Sequence, residues 1–146
     1  MKTTIFTPTL NEADAMLLAG RDLEASAQSW EAAEVLVSQR LHRDALGRAA
    51  SSLFHAVRAV LLRAGYNVRS SGEVLDVLSL RFAGAGELPP EIAAVLARAQ
   101  RYQELCDFGV GWVVTPERVV AELEVYEEHR SGLLSVLASR GVKSSA

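Results

Sequence analysis

The sequence predicts an all-α fold, an antiparallel up-down bundle of four main helices plus one short helix. Two observations predict it. Apolar residues recur at the helical period of 3.6 along most of the 146 residues, and capping residues and helix breakers divide the chain into five such stretches joined by short turns. Aromatic residues make up only 6% of the chain, which favours close helix packing over a sandwich or barrel.

The first helix is expected over residues 11–39, because Asn11 is a good N-cap and the acids Glu12 and Asp14 follow it. Residues 41–44 form a tight corner, and the second helix runs over residues 44–64. The apolar face of the second helix comprises Leu46, Ala50, Leu53, Phe54, Val57, Val60 and Leu61.

The third helix is short and spans about residues 71–82, with Ser70 or Ser71 as its cap. The fourth helix opens at Pro89-Pro90, where proline is tolerated in a first turn, and ends near Gly109. The fifth helix begins at Thr115-Pro116-Glu117, which supplies a cap, a proline at the first position and an acid in the first turn.

The predicted domain organisation is simple. Residues 1–10 form an extended arm, residues 11–140 form the helical bundle, and residues 141–146 form a disordered tail. The N-terminal residues lack a signal-peptide pattern and no apolar run reaches the length of a membrane span, so we expect a cytoplasmic protein with no membrane association.

Charge and cysteine content exclude several classes of protein. The formal net charge is −3, which does not indicate an extended nucleic-acid surface, although a local basic stripe remains possible. Cys106 is the only cysteine, so no internal disulfide can form. No histidine, cysteine and acid set has metal-ligand spacing, and no phosphate-binding glycine motif occurs, so we expect neither metal nor cofactor.

Three stretches, in this order, resemble the HEPN superfamily, the helical domain that often accompanies a minimal nucleotidyltransferase in prokaryotes. They are residues 48–62 (RAASSLFHAVRAVLL), 86–92 (GELPPEI) and 101–108 (RYQELCDF), and the resemblance covers about residues 24–138. Two features depart from the family pattern. Ser51-Ser52 replaces an aromatic pair, and Ser70-Ser71 stands where a histidine is often found.

The resemblance implies candidate catalytic residues. Many HEPN ribonucleases carry an arginine, then four to six intervening residues, then a histidine late in the domain, and two protomers commonly bring these pairs together. Here the matching residues are Arg101 and Asp107. Because aspartate is an anion that repels phosphate, the alternative interpretation is a structural arginine–aspartate pair whose members contact other helices.

Arg48 and His55 form a second arginine–histidine pair, on the second helix. Seven residues are about two helical turns, so both side chains lie on one face, about 10 Å apart along the axis. Histidine can move a proton near neutral pH and arginine can bind phosphate oxygens. The alternative is that His55 is a core or interface residue satisfied by one hydrogen bond.

Arginines are also frequent in the middle third of the chain. They could form a basic stripe for RNA or a nucleotide, or pair with acids of the first and last helices. They are Arg40, Arg43, Arg48, Arg58, Arg63, Arg69 and Arg81.

Two functional hypotheses follow. In the first, the chain is an HEPN domain that binds RNA or a nucleotide, or a nucleotidyltransferase partner, as a homodimer. It could then be the toxin half of a toxin–antitoxin or defence system, with metal-independent endoribonuclease activity. In the second, the chain is a non-catalytic helical module for interaction or dimerisation.

Overall fold

The computed structural model describes residues 7–82 and 88–142. It contains five α-helices in this part of the chain: α1 (Glu12–Ser38), α2 (His42–Arg63), α3 (Ser71–Val77), α4 (Ile92–Phe108) and α5 (Pro116–Ser139). A π-helical turn, Leu78–Phe82, continues α3. No β-strand occurs among these residues, and the predicted all-α bundle is confirmed.

Local capping interactions start three of the helices as the sequence predicts. The Asn11 side chain accepts a hydrogen bond from the Asp14 amide, and Thr115 does the same for Arg118 with Pro116 in the first turn. Ser70 forms a reciprocal capping box with Glu73. Such caps satisfy backbone donors that have no partner inside a helix.

Two helix starts differ from the expected positions by two or three residues. α2 begins at His42, inside the expected corner, and α4 begins at Ile92 because Pro89, Pro90 and Glu91 form a turn before it. Neither start has a side-chain cap. These starts therefore depend on tertiary packing, which a local sequence pattern does not contain.

α2 is the central helix, packed against α1, α4 and α5. Small residues let α1 approach it closely. Those buried in α1 are Ala15, Ala19, Ser26, Ser29 and Ala33, and those in α2 include Ala45, Ala49, Ser52, Ala56 and Ala59. Larger buried side chains fill the remaining core, among them Leu46, Leu53, Leu61, Leu96, Tyr126 and Leu137.

The two ends of the chain pack on the bundle where they are described. The Thr9 and Leu10 amides donate hydrogen bonds to the Gly65 carbonyl at 2.8 and 3.0 Å. At the other end Val142, assigned to the tail from its sequence, is buried, after a turn at Gly141 with a φ of +81°. Residues 1–6, 83–87 and 143–146, which include most of the predicted arm and tail and the glycine break at 84–86, lie outside the described residues.

Candidate functional site

A row of polar side chains crosses the interface between α1 and α2. From one end to the other it pairs Asp22 with His55, Ser26 with Ser52, and Ser29 with Arg48, and we call these three pairs the polar seam. The regular pairing reflects the antiparallel course of the two helices. In a bundle core made mostly of apolar residues, a continuous polar row of this kind needs a structural or chemical reason.

Asp22 and His55 form the shortest contact between charged or titratable groups in the seam. The Nδ1 atom of His55 lies 2.9 Å from Oδ1 of Asp22, whose side chain is only 11% exposed. The His55 side chain is 26% exposed. Because a carboxylate accepts hydrogen bonds, it holds the proton on Nδ1, so that Nε2 carries the lone pair of the neutral ring. No described residue makes a hydrogen bond to Nε2.

Arg58 lies on the turn of α2 after His55 and completes the Asp22–His55–Arg58 cluster. Its Nε atom is 3.3 Å from Oδ2 of Asp22, an ion pair that is not aligned as a hydrogen bond. Its side chain is 30% exposed, and its terminal nitrogens have no hydrogen bond to any described residue. The cluster therefore combines an oriented imidazole with a cation whose strongest donors remain available to a ligand.

Arg48 lies at the other end of the seam, beside two adjoining grooves. One of its terminal nitrogens is 3.4 Å from the Ser29 hydroxyl. A groove of about 390 Å³ between α2 and α4 is lined by Leu36, Asp44, Gly47, Arg48, Ser51, Gln103, Cys106 and Asp107. A second groove, along α1, shares Arg48 and Leu36 with the first. The structure thus places Arg48 and Asp107 in one groove, and Arg48 and His55 on the same side of α2.

Arg101 and Asp107 do not meet each other. Both are exposed, and neither has a hydrogen bond or ion pair with any residue the structure describes. The interpretation of these residues as a clamp between helices is wrong, because a clamp requires contacts that neither side chain makes. Asp107 instead contributes a carboxylate to the groove that contains Arg48.

Cys106 is half-buried beside this groove and is held as a thiol. Its Sγ donates a hydrogen bond to the Arg43 carbonyl at 3.1 Å. Burial raises the pKa of the Cys106 thiol to about 11, an effect that Arg43 opposes and that Asp107 and Asp44 reinforce. A thiol in this state is a poor nucleophile near neutral pH.

The arginines of the middle third do not form one basic stripe. Arg43 donates to the carbonyls of four residues at the end of α4 and beyond, namely Leu105, Cys106, Gly109 and Trp112. Arg63 pairs with Glu12 of α1 at 2.7 Å. The expected pairing with acids of the first helix thus occurs, whereas none of these arginines pairs with an acid of α5 within the described residues. Glu122 of α5 pairs instead with Arg98 of α4.

Sequence reasoning missed Asp22, and it counted Arg58 only among the arginines. A signal for Asp22 was present, because it occupies one position in a stripe of small residues spaced three and four apart. An acid within such a buried stripe requires a cationic or hydrogen-bonding partner on the facing helix. What the pattern lacked was the identity of that facing helix.

The described residues offer neither a metal site nor a membrane-spanning helix. Within residues 7–82 and 88–142, no three histidine, cysteine or acidic side chains are grouped in a way that could hold a metal ion. Over the same residues, every helix is too short or too polar to cross a lipid bilayer.

Comparison with known proteins identifies relatives of this chain. A protein of Methanocaldococcus jannaschii named "putative toxin" is 25% identical over 105 residues, which cover 72% of this chain and 76% of that protein. A UPF0332 protein of Gloeobacter violaceus is 30% identical over 87 residues, or 60% of this chain and 69% of that protein. Another Methanocaldococcus jannaschii protein, also named "putative toxin", is 28% identical over 86 residues, which cover 59% of this chain and 58% of that protein.

The family match is broader than any of these pairwise similarities. Residues 21–129 match the family described as HEPN domain. This range contains both partners of every pair in the polar seam, together with α2, α3 and α4. The match covers well over half of the chain and agrees with the resemblance carried by its three motifs, so the chain belongs to the HEPN domain family.

Proposed function

We propose that this chain is a toxin-type HEPN domain that binds RNA at the α1–α2 seam and cleaves it without a metal ion, using His55 to transfer a proton. The observation that carries the proposal is the 2.9 Å contact between His55 Nδ1 and the Asp22 carboxylate. This contact orients the ring and leaves Nε2 as a base on a partly exposed side chain.

The reaction would use the RNA's own 2′-hydroxyl. The 2′-oxygen gives its proton to Nε2 of His55 and bonds to the adjacent phosphorus. The bond from phosphorus to the 5′-oxygen breaks, and that oxygen takes up the proton from the imidazolium, directly or through a water molecule. The products are a 2′,3′-cyclic phosphate and a free 5′-hydroxyl, so that atoms and charge balance and His55 returns to its starting state.

Arg58 would stabilise the negative charge that develops on the phosphate oxygens. Its guanidinium lies on the turn after His55, and its terminal nitrogens can donate two parallel hydrogen bonds to a phosphate. Arg48, about 10 Å from His55 along the axis of α2, would bind a neighbouring phosphate of the same strand. Arg101 and Asp107 have no direct part in this scheme, because neither approaches the cluster and the Asp107 carboxylate repels phosphate.

The names of the relatives support the biological setting of the proposal. Two of them carry the word toxin, and toxins that attack RNA are kept inactive by a partner. A minimal nucleotidyltransferase as that partner, a homodimer as the active form, and a cytoplasmic location are parts of the proposal. Co-purification with a nucleotidyltransferase encoded beside it would support the first, and sedimentation at micromolar concentration tests the second.

The ribonuclease test uses the purified chain, a fluorescent RNA and EDTA. We expect cleavage in EDTA, with loss of about 10²–10⁴-fold in rate on His55→Ala. His129→Ala is the matched control, because His129 lies in α5 beside a separate pocket. Cleavage that survives His55→Ala, or equal losses in both variants, would contradict the proposal.

A second candidate function is a non-catalytic dimerisation module. The observation that favours it is the connection between α4 and α5, where Phe108, Val110 and Val113 are 81%, 102% and 84% exposed. An uncharged apolar patch of this kind can pair with its own copy across a two-fold axis. A dimer that Val113→Asp dissociates, in a protein without RNA cleavage, would favour this function over the first.

A further inference from the structure

A third groove lies between α1 and α5, and Arg130 beside it makes a hydrogen bond to Ser26 of the polar seam. Within the described residues α1 and α5 each pack on α2 and make little direct contact with each other. The resulting groove has a volume of about 280 Å³ and is lined by Trp30, Glu34, Val37, Val120, Leu123, Glu124 and Glu127. Its lining pairs an apolar floor with acidic rims.

The floor and the rims are regularly arranged. Trp30 and Val37 come from α1, and Val120 and Leu123 come from α5, where Val120 is 44% exposed. Seven residues separate Trp30 from Val37, so the floor is about 10 Å long, or two helical turns. This length suits two or three apolar side chains on one face of a helix.

Carboxylates line both rims of the floor. Glu34 stands on the α1 side, and Glu124 and Glu127 stand on the α5 side. All three are exposed, and none has an ion pair or hydrogen bond with a described residue. The rims therefore present three carboxylates that a cationic ligand could neutralise.

One cation, Arg130, closes an end of the groove and is already engaged. Its Nε donates to the Ser26 hydroxyl at 2.9 Å, and its guanidinium stacks 5.7 Å from the Trp30 ring centre. Burial lowers the pKa of Arg130, while the charges of Glu34 and Glu127 oppose that effect. Arg130 thus joins α1 to α5 and leaves the rims acidic along the rest of the groove.

We propose that this groove docks a basic amphipathic helix of a partner protein, with apolar anchors on the floor and lysine or arginine side chains against the three glutamates. The charge of the rims selects this occupant. RNA and anionic lipid headgroups would be repelled by them. A second copy bound across a two-fold axis would bring the same carboxylates face to face.

The test uses the Trp112→Phe variant of this 146-residue chain, in which Trp30 is the only tryptophan. The probe is a synthetic 14-residue helix of leucine and lysine with leucines at i, i+3, i+4 and i+7, and its counterpart is the same helix with glutamate for lysine. We expect the lysine probe to change Trp30 fluorescence and the glutamate probe to leave it unchanged.

Matched charge reversals separate the groove from general attraction to an acidic protein. Glu124→Lys with Glu127→Lys should weaken binding of the lysine probe at least tenfold. Glu104→Lys with Asp76→Lys makes the same change in net charge on other helices, α4 and α3, and should weaken it less than twofold. Equal weakening in the two double variants, or no response of Trp30, would overturn the proposal.

A monomer–dimer equilibrium gives an independent outcome. If the first double variant, but not the second, abolished a dimer seen in sedimentation of the wild-type chain, the groove would belong to a second copy and the proposed occupant would be wrong. If both double variants have the same association state as the wild-type chain, and the wild-type chain binds the lysine probe, the result supports the proposal. Ribonuclease activity enters neither measurement.

Discussion

Replacing Asp22 with asparagine should separate the two roles that its carboxylate plays. Asparagine preserves the shape and one acceptor oxygen but removes the charge that faces His55 and Arg58. Charged hydrogen bonds contribute about 1.5–3 kcal/mol, and the Asp22 side chain is 11% exposed, so retention of one neutral acceptor leaves a loss of about 1–2 kcal/mol. For a chain of this size that lowers Tm by about 2–8 °C, which thermal unfolding followed by circular dichroism measures.

The same substitution should lower the rate of RNA cleavage by a far larger factor than it lowers the folded fraction of the protein. The asparagine amide can donate to Nδ1 and so favour the tautomer with its proton on Nε2, which removes the base. We expect cleavage to fall by about 10²–10⁴-fold at a temperature where the variant stays folded. Nitrogen NMR of the His55 ring should show the change of tautomer.

Asp76→Asn is the control, because Asp76 is exposed on α3 and makes no described contact. It should leave stability, tautomer and cleavage unchanged. If Asp22→Asn lost activity only in proportion to its unfolded fraction, with the tautomer unaltered, Asp22 would be a structural residue alone. The reasoning about proton transfer would then fail.

Three further predictions concern other parts of the fold. Arg43→Ala should lower the free energy of unfolding by about 2–4 kcal/mol, because the carbonyls at the end of α4 lose their shared donor, and Arg43→Lys should recover only part of it in urea unfolding. Cys106, with its pKa raised to about 11 from 9.0, should hold about 100-fold less thiolate at pH 8 than an ordinary cysteine. Iodoacetamide labelling of the native chain should be slower by about tenfold or more, because the greater nucleophilicity of a high-pKa thiolate offsets part of this loss, and rates equal to those of the unfolded chain would refute it. The hydroxyl of Tyr126 is buried beside the Glu122 carboxylate but has no aligned hydrogen bond among the described residues, so Tyr126→Phe should change the free energy of unfolding by less than about 1 kcal/mol, and a loss above 1 kcal/mol in the same urea assay would contradict it.

The helices could be predicted from the sequence because the forces that start and stop them are local. Asn11, Ser70 and Thr115 accept hydrogen bonds from amides three residues ahead, so each cap is contained in a few consecutive letters. α2 and α4 begin without a side-chain cap, and the sequence pattern places their starts two or three residues from the observed ones. Where no local interaction fixes a boundary, packing against the rest of the bundle decides it.

The candidate site was only partly predictable, because it depends on which helices become neighbours. His55 could be selected from its position on an otherwise apolar face, but its partner Asp22 lies 33 residues away on another helix. Arg43 was grouped with surface cations, although it binds carbonyls more than 60 residues further along the chain. Pairwise contacts of this kind follow from topology and register, which a single sequence does not specify.

The geometry of the Asp22–His55 pair depends on how closely α1 approaches α2. That approach is set one turn away by Ser26 and Ser52, whose hydroxyls each donate to the other residue's carbonyl at 2.8 and 2.7 Å. Larger side chains at these positions would push the helices apart and lengthen the contact between carboxylate and imidazole. Ser51 and Ser52 replace the aromatic pair expected from the family resemblance. The contacts of Ser52 with Ser26 give a physical reason for the second of these two replacements. A small hydroxyl-bearing residue allows the spacing at which Asp22 can hold the His55 ring.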